Sequence, residues 1–218
     1  MIINIVGGGP VQFFPDLKLY DDDVSIWIGV DKGVTILLNK GITPSYAFGD
    51  FDSVSGEEWQ KIEQTVSGIQ RFKPEKDETD MDLAINWALE QRPERIRIFG
   101  GTGGRLDHFF GNVQLLLKPI LQKQTTEINI IDQQNIIYAK PHGVHTIEEL
   151  AELKYISFIP ITPVKNLSLR GFKYPLTDCH IPLGSTLCIS NELLKDYGTF
   201  SFSEGILLVI RSCDLIIT

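Results

Sequence analysis

Cysteine is scarce. The chain's 218 residues include three, Cys179, Cys188 and Cys213, all in the last fifth and spaced like no metal or redox motif. So few in a chain of this length exclude a disulfide-rich miniprotein, and mostly apolar neighbours favour buried free thiols. Long apolar runs are also missing, since none approaches the roughly 18 residues of a membrane span. There is no excess of base. Lys and Arg number 20 against 28 Asp and Glu, a formal net charge of −8. That balance disfavours non-specific nucleic-acid binding, in which protein cations replace counterions. Neither a Gly-Lys-Ser/Thr phosphate loop nor a full Gly-x-Gly-x-x-Gly fingerprint is present. The start, Met1 to Val6, has no basic leader region or cleavage signal, so a cytoplasmic protein is expected.

What is there suits a globular chain long enough to bury its own core: 43% hydrophobic and 22% charged residues. Apolar runs at Ile2–Val6, Val24–Val30, Ser45–Phe48, Ile69–Phe72, Arg95–Phe99 and Glu127–Ile131 predict strands. Helices are predicted at Gly33 to Lys40, at 55–66 with Ser55 as N-cap, from about Thr79, and as one long helix from Leu106 to Leu121. Strand-helix alternation implies an α/β unit, a mostly parallel Rossmann-like sheet with helices on both faces. Past residue 135 the texture changes. Short β-prone runs at 136–139, 144–147, 154–160, 165–172, 186–190, 199–203 and 206–211 read as an antiparallel β-sandwich or small barrel. The expected domains are 1–135 and 136–218.

The acids are unevenly placed. Residues 21–82 hold 14 of the 28 acids but only 6 of the 20 Lys and Arg, so this stretch carries the whole formal excess. Four successive strands each deliver aspartate at the carboxyl end: Asp31, then Asp50 and Asp52, then Asp77, Asp80 and Asp82, then Asp107. Ligands of open parallel sheets bind beyond those ends. A single such aspartate is ordinarily a helix cap. Capping does not need two acids in Gly49-Asp50-Phe51-Asp52-Ser53, where like charges two residues apart favour a cation.

Gly7-Gly8-Gly9 and Gly100-Gly101-Thr102-Gly103-Gly104 also stand at strand ends, where glycine lets backbone N–H groups approach an anion. Lys32, Lys76 and Arg105 are interleaved with the acids. Clustered Asp, Gly-rich loops and fixed cations suit phosphoryl transfer, in which a protein mainly positions reactants and neutralises charge. His108 could serve as a base or simply belong to the helix start. The same acids and glycines would also serve a magnesium-dependent nucleotide phosphohydrolase or a non-catalytic nucleotide sensor.

Taken in order, Asp31-Lys32-Gly33, Gly49-Asp50-Phe51-Asp52-Ser53, Lys76-Asp77-x-Thr79-Asp80 and Gly103-Gly104-Arg105-x-Asp107-His108 resemble the motifs of the thiamine pyrophosphokinase (thiamine diphosphokinase) family. Ser190-Asn191 and the closing run 205–212 resemble its second domain. The resemblance implies an ATP- and Mg2+-binding α/β domain, a thiamine-binding β-sandwich, and a homodimer with active sites at the subunit interface. It implies transfer of pyrophosphate from ATP to thiamine. By motif, Asp50, Asp52 and Asp80 would be catalytic and hold Mg2+. Asp31, Lys32, Lys76, Asp77, Thr79, Gly103, Gly104, Arg105 and Asp107 would line the nucleotide-phosphate site, and Ser190 and Asn191 would meet thiamine. After Asn191, where family members place an aromatic against thiamine, this chain has Glu192-Leu193-Leu194.

Overall fold

The computed structural model describes residues 1–52, 54–71 and 77–214, and the chain divides into two compact units, 1–133 and 134–218. The first unit contains six parallel strands: β1 (Ile2–Val6), β2 (Ser25–Val30), β3 (Tyr46–Gly49), β4 (Gly68–Arg71), β5 (Arg95–Phe99) and β6 (Glu127–Ile131). Crossovers carry α1 (Lys32–Asn39), α2 (Gly56–Thr65), α3 (Asp80–Glu90), α4 (Leu106–Leu115) and α5 (Lys118–Leu121). Phe72 of the predicted fourth strand lies outside the described residues.

The strand order is β6-β5-β1-β2-β3-β4. The chain steps outward from β1 to β4, then returns to set β5 against the other edge of β1. Parallel crossovers are right-handed, so reversing the direction of travel moves the connecting helices to the opposite face. Accordingly α1 touches α2, and α3 touches α4. The reversal puts a topological switch point at the carboxyl ends of β1 and β5, where open sheets bind ligands.

Local chemistry explains the helix starts. Ser55 and Glu58 form a reciprocal capping box at α2: the Glu58 N–H donates to Ser55 Oγ at 3.3 Å, and the Ser55 N–H donates to Glu58 Oε2 at 2.9 Å. Thr79 caps α3, its Oγ1 accepting from the Asp82 N–H at 3.1 Å. Along α3, Met81, Ala84, Ile85, Ala88 and Leu89 are buried, the apolar face that their spacing predicts. The single long helix expected over 106–121 is instead two, α4 and α5. Pro119 has no N–H to return to the Leu115 carbonyl, and it sits in the first turn of a new short helix.

In the second unit, β7 (Asn135–Glu148), β8 (Tyr155–Pro160), β9 (Val164–Arg170), β10 (Leu176–Ile181) and β11 (Tyr197–Ser212) are antiparallel. Strand β11 organises them. One edge pairs with β7 along almost its whole length; the other pairs with β9 early and β8 late. Changing partner mid-strand brings β8 and β9 to a shared core with Phe158, Phe172, Phe200 and Leu167, where Phe158 and Phe200 rings lie 4.9 Å apart.

Three expectations for this unit are corrected. Runs 136–139 and 144–147 are one strand, and so are 199–203 and 206–211. Pro141 does not break β7 because it faces Ile206, where the β11 register shifts between Phe202 and Ile206. The proline's missing N–H thus coincides with an existing irregularity in the ladder. Residues 186–190 form no strand, and Leu176–Ile181, poor in β-formers, forms β10.

Candidate active site

At the switch point the two glycine loops are stitched together. The Gly7 N–H donates to the Phe99 carbonyl at 2.8 Å, and the Gly9 N–H to the Gly100 carbonyl at 3.1 Å. A Cβ on Gly9 would fall 2.5 Å from that carbonyl oxygen, so only glycine permits the approach. The first turn of α1 docks on the same edge, with Gly33 against the Val6 carbonyl. A cavity of about 270 Å³ opens beside it, lined by Gly8, Gly9, Lys32, Thr35 and Glu58 among others. Hydrogen bonds from the Ser55 backbone and hydroxyl hold the Glu58 carboxyl below its ordinary range, and the Lys32 charge adds to this.

Asp31 and the Asp50-Phe51-Asp52 turn meet beyond β2 and β3. Asp31 stands at the N-cap position of α1, yet its carboxylate does not cap the helix. It lies against Gly49 instead, where an added Cβ would come 2.0 Å from Asp31 Oδ1. The Asp31 N–H donates to the Phe48 carbonyl at 2.9 Å. Phe51 is buried, with its ring 5.1 Å from Trp59, while Asp50 Oδ1 accepts from the Asp52 N–H at 3.0 Å. The buried ring anchors the turn between two carboxylates. Asp31 (φ 48°) and Phe51 (φ 58°) both hold left-handed backbone, uncommon outside glycine and concentrated at functional sites.

The remaining predicted residues divide. Asp77 is exposed, and Asp80 opens α3 in a half-exposed position. Lys76 and Ser53 lie outside the described residues. Asp82 does not join the strand-end acids: its carboxylate pairs with Lys118 Nζ, which also donates to Asn86 Oδ1 at 2.7 Å. Arg105 holds Asp107 in a two-point pair, Nη2 to Oδ2 at 2.5 Å and Nε to Oδ1 at 3.1 Å. That guanidinium lowers the Asp107 carboxyl to about 2. Both side chains face solvent beside exposed Gly103 and Gly104.

Among the described residues, no three His, Cys, Asp or Glu side chains gather as a metal-holding group. Asp50, Asp52 and Asp80 therefore do not form a preassembled cage. Mg2+ seldom uses one, as it ordinarily binds one or two carboxylates, water and substrate phosphates. The two carboxylates of the Asp50-Phe51-Asp52 turn fit that mode.

A family model for the thiamin pyrophosphokinase catalytic domain matches residues 17–130, and one for the thiamin pyrophosphokinase vitamin B1 binding domain matches 142–207. The thiamine pyrophosphokinase of Bacillus subtilis (strain 168) is 54% identical over 213 residues, 97% of this chain and 99% of the relative. The chain belongs to the thiamine pyrophosphokinase family. Thiamin pyrophosphokinase 1 of Caenorhabditis elegans is 29% identical over 77% of this chain and 70% of its own length. A crystal structure of the B. subtilis thiamine pyrophosphokinase aligns with TM-score 0.93 at 53% identity, covering 99% of this chain and 100% of that one. The Geobacillus thermodenitrificans thiamin pyrophosphokinase aligns with TM-score 0.90 at 50% identity over all of both chains. Membership makes the chain an enzyme, which sets aside the sensor reading.

In the segment matched to the vitamin B1 binding model, Ser190 is exposed with φ 55°, and its N–H donates to Ser157 Oγ at 2.9 Å. Asn191 follows it in the chain. It is 2% exposed, and its amide is engaged by backbone: Nδ2 donates to the Tyr174 carbonyl at 2.8 Å, while Oδ1 accepts from the N–H groups of Tyr174 and Glu192. Asn191 clips two backbone segments together and leaves Ser190 as the presented side chain.

Sequence reading missed Asp132, which directly follows β6 as the other aspartates follow their strands. Asp132 Oδ2 accepts from Thr102 Oγ1 at 2.7 Å. Asn112 was missed as well, and its Nδ2 donates to the Gly101 carbonyl at 3.1 Å.

Proposed function

We propose that the protein transfers a pyrophosphoryl group from ATP to the hydroxyl of thiamine, releasing AMP and thiamine diphosphate. One observation carries the reading: a chain matched along almost its whole length to a thiamine pyrophosphokinase has two glycine loops at its switch point and aspartates beyond the neighbouring strands β2 and β3. The thiamine oxygen attacks the β-phosphorus, and the bond to the α-phosphate oxygen breaks. Backbone N–H groups of the Gly100–Gly104 loop, with Lys32, Lys76 and Arg105, hold the triphosphate against its own charge. Asp107 fixes the Arg105 fork. Asp31, Asp77, Thr79, Gly103 and Gly104 shape the same site. Asp50, Asp52 and Asp80 would hold Mg2+, which when bound offsets phosphate charge. Ser190 meets thiamine, and Asn191 sets its backbone. A homodimer with active sites at the subunit interface, as the resemblance implies, completes the arrangement. Three free thiols suit a reducing, cytoplasmic compartment.

The test is incubation with ATP, MgCl2 and thiamine, followed by chromatography. Equimolar AMP and thiamine diphosphate are expected. Asp50→Ala and Asp80→Ala should each lose at least about a hundredfold in rate. AMP release that ignores thiamine would point to a phosphohydrolase, and wild-type rates in Asp80→Ala would overturn the metal assignment. Sedimentation as a monomer at working concentration would overturn the dimer.

A further inference from the structure

We infer that Thr102 and Asp132 form a positioning latch that presets the Gly100–Gly104 loop for the nucleotide phosphates. This rests on the reading above that the loop receives those phosphates. Four of its five residues are glycine, so Thr102 offers the only side chain by which the loop can be tethered. Its hydroxyl donates to the Asp132 carboxylate at 2.7 Å, fixing the loop to the end of β6. Asn112 holds the neighbouring Gly101 carbonyl from α4.

The next residue, Gln133, extends the tie to the segment that follows the first glycine loop. Its N–H donates to the Phe13 carbonyl at 2.9 Å, and its Nε2 donates to the Phe14 carbonyl at 3.1 Å. The two rings so placed press on the same loop. A Cβ on Gly103 would fall 2.2 Å from Phe13 Cδ2, and one on Gly100 would fall 2.5 Å from Phe14 Cζ. Both glycines hold positive φ, 76° and 67°. The end of β6 thus sets both the tether and the wall that the loop leans against.

Glycine-rich backbone is costly to order, and that cost falls on the nucleotide if nothing has met it beforehand. Releasing the latch therefore weakens ATP binding and leaves chemistry and thiamine binding alone. In steady-state assays, Thr102→Val raises KM for ATP about tenfold, the worth of one hydrogen bond to a charged group. Its kcat and KM for thiamine stay within about twofold, and Thr102→Ser restores the wild-type KM. Asp132→Ala matches Thr102→Val, and the double variant is no worse than either single one because they remove the same contact. Calorimetric titration with Mg-ATP shows the same loss without turnover. An unchanged ATP affinity, an equal rise in both KM values, or additive single variants would overturn the latch. If the wild-type protein makes no thiamine diphosphate, the functional reading fails instead, and the calorimetric comparison still decides the latch.

Discussion

Gly33 is where the sheet and the first helix approach most closely, and replacing it tests the architecture of the site. A Cβ at this position would lie 1.8 Å from the Val6 carbonyl oxygen and 2.6 Å from its carbon. Ordinary contact is about 3.5 Å, so Gly33→Ala demands that the helix end retreat by roughly 1.5 Å. The sheet side cannot yield, because Val6 is fully buried and paired with both Gly29 and Phe99. Overpacking of this kind costs about 1–3 kcal/mol, and alanine recovers up to about 1 kcal/mol in helix propensity. A net loss of about 1–2 kcal/mol lowers Tm by roughly 2–8 °C in a chain of this size. Activity should fall further. Asp31 and Lys32 ride on the same turn, and a displacement of about 1 Å can cost a hundredfold. Calorimetry and kcat/KM for ATP measure the two effects. Gly111→Ala is the control: it lies within α4 with open space around its would-be Cβ, so it should raise Tm by about 2 °C at full activity. If the two variants behave alike, the steric reasoning is wrong.

Three further outcomes are expected. Lys118→Ala should lower Tm by about 3–6 °C, because it strands a partly buried Asp82, yet leave kcat within twofold; a collapse in kcat would return Asp82 to the site. Asp107, with its carboxyl lowered to about 2 from 3.8 by Arg105, contributes stability above its unfolded value and loses it as pH falls through about 2. It therefore stays ionised throughout any neutral pH–rate profile. Its carboxyl carbon should titrate near 2 and move toward 3.8 in Arg105→Ala, and a wild-type midpoint already near 3.8 would refute the pair. Burial first, and the nearby Cys179 second, push the Cys188 thiol up to about 11. Iodoacetamide at neutral pH should modify Cys179 and Cys213 well before Cys188, as read by mass spectrometry.

Much of the α/β unit was legible because its signals are local. Near-continuous apolar strands, the Ser55 capping box and the Thr79 cap each need only a few neighbouring residues. Strand order was not legible. That β5 lies beside β1 depends on pairing across the 88 residues between Val6 and Arg95, and nothing in either strand announces its partner. The β unit was harder for the same reason. Pro141 and Gly205 are turn residues by composition, but the register shift between Phe202 and Ile206 absorbs them, and that shift exists only once β7 and β11 are paired.

The site shows the same division. The strand-end rule picks out Asp31, Asp50, Asp52 and Asp107 as candidates from strand boundaries alone, and applied once more at β6 it picks out Asp132 as well. It could not find what each carboxylate faces. Asp82 obeys the rule and yet pairs with Lys118, which is 36 residues away. Asn191 matches a motif and yet spends its amide on Tyr174 and Glu192. The acidic stretch that opened the question divides accordingly. Asp21 accepts from the Trp27 indole at 2.8 Å, Asp22 accepts from the Ser25 hydroxyl at 2.7 Å, Glu58 closes a capping box, and Asp82 braces α3 to α5. These acids build the scaffold. Asp31, Asp50, Asp52, Asp77 and Asp80 stay at or beyond the strand ends. On the function proposed above, these five carboxylates would repel a polyanionic substrate in the absence of cations. On the same reading, Lys32, Lys76 and Arg105 together with Mg2+ carried on the triphosphate would supply the charge that reverses the sign. ATP without Mg2+ should therefore bind at least about tenfold more weakly than Mg-ATP in calorimetric titration, and Asp50→Asn should narrow that gap by removing one repelling charge. Equal affinities for the two forms in the wild-type protein would show that the strand-end acids do not face the phosphates.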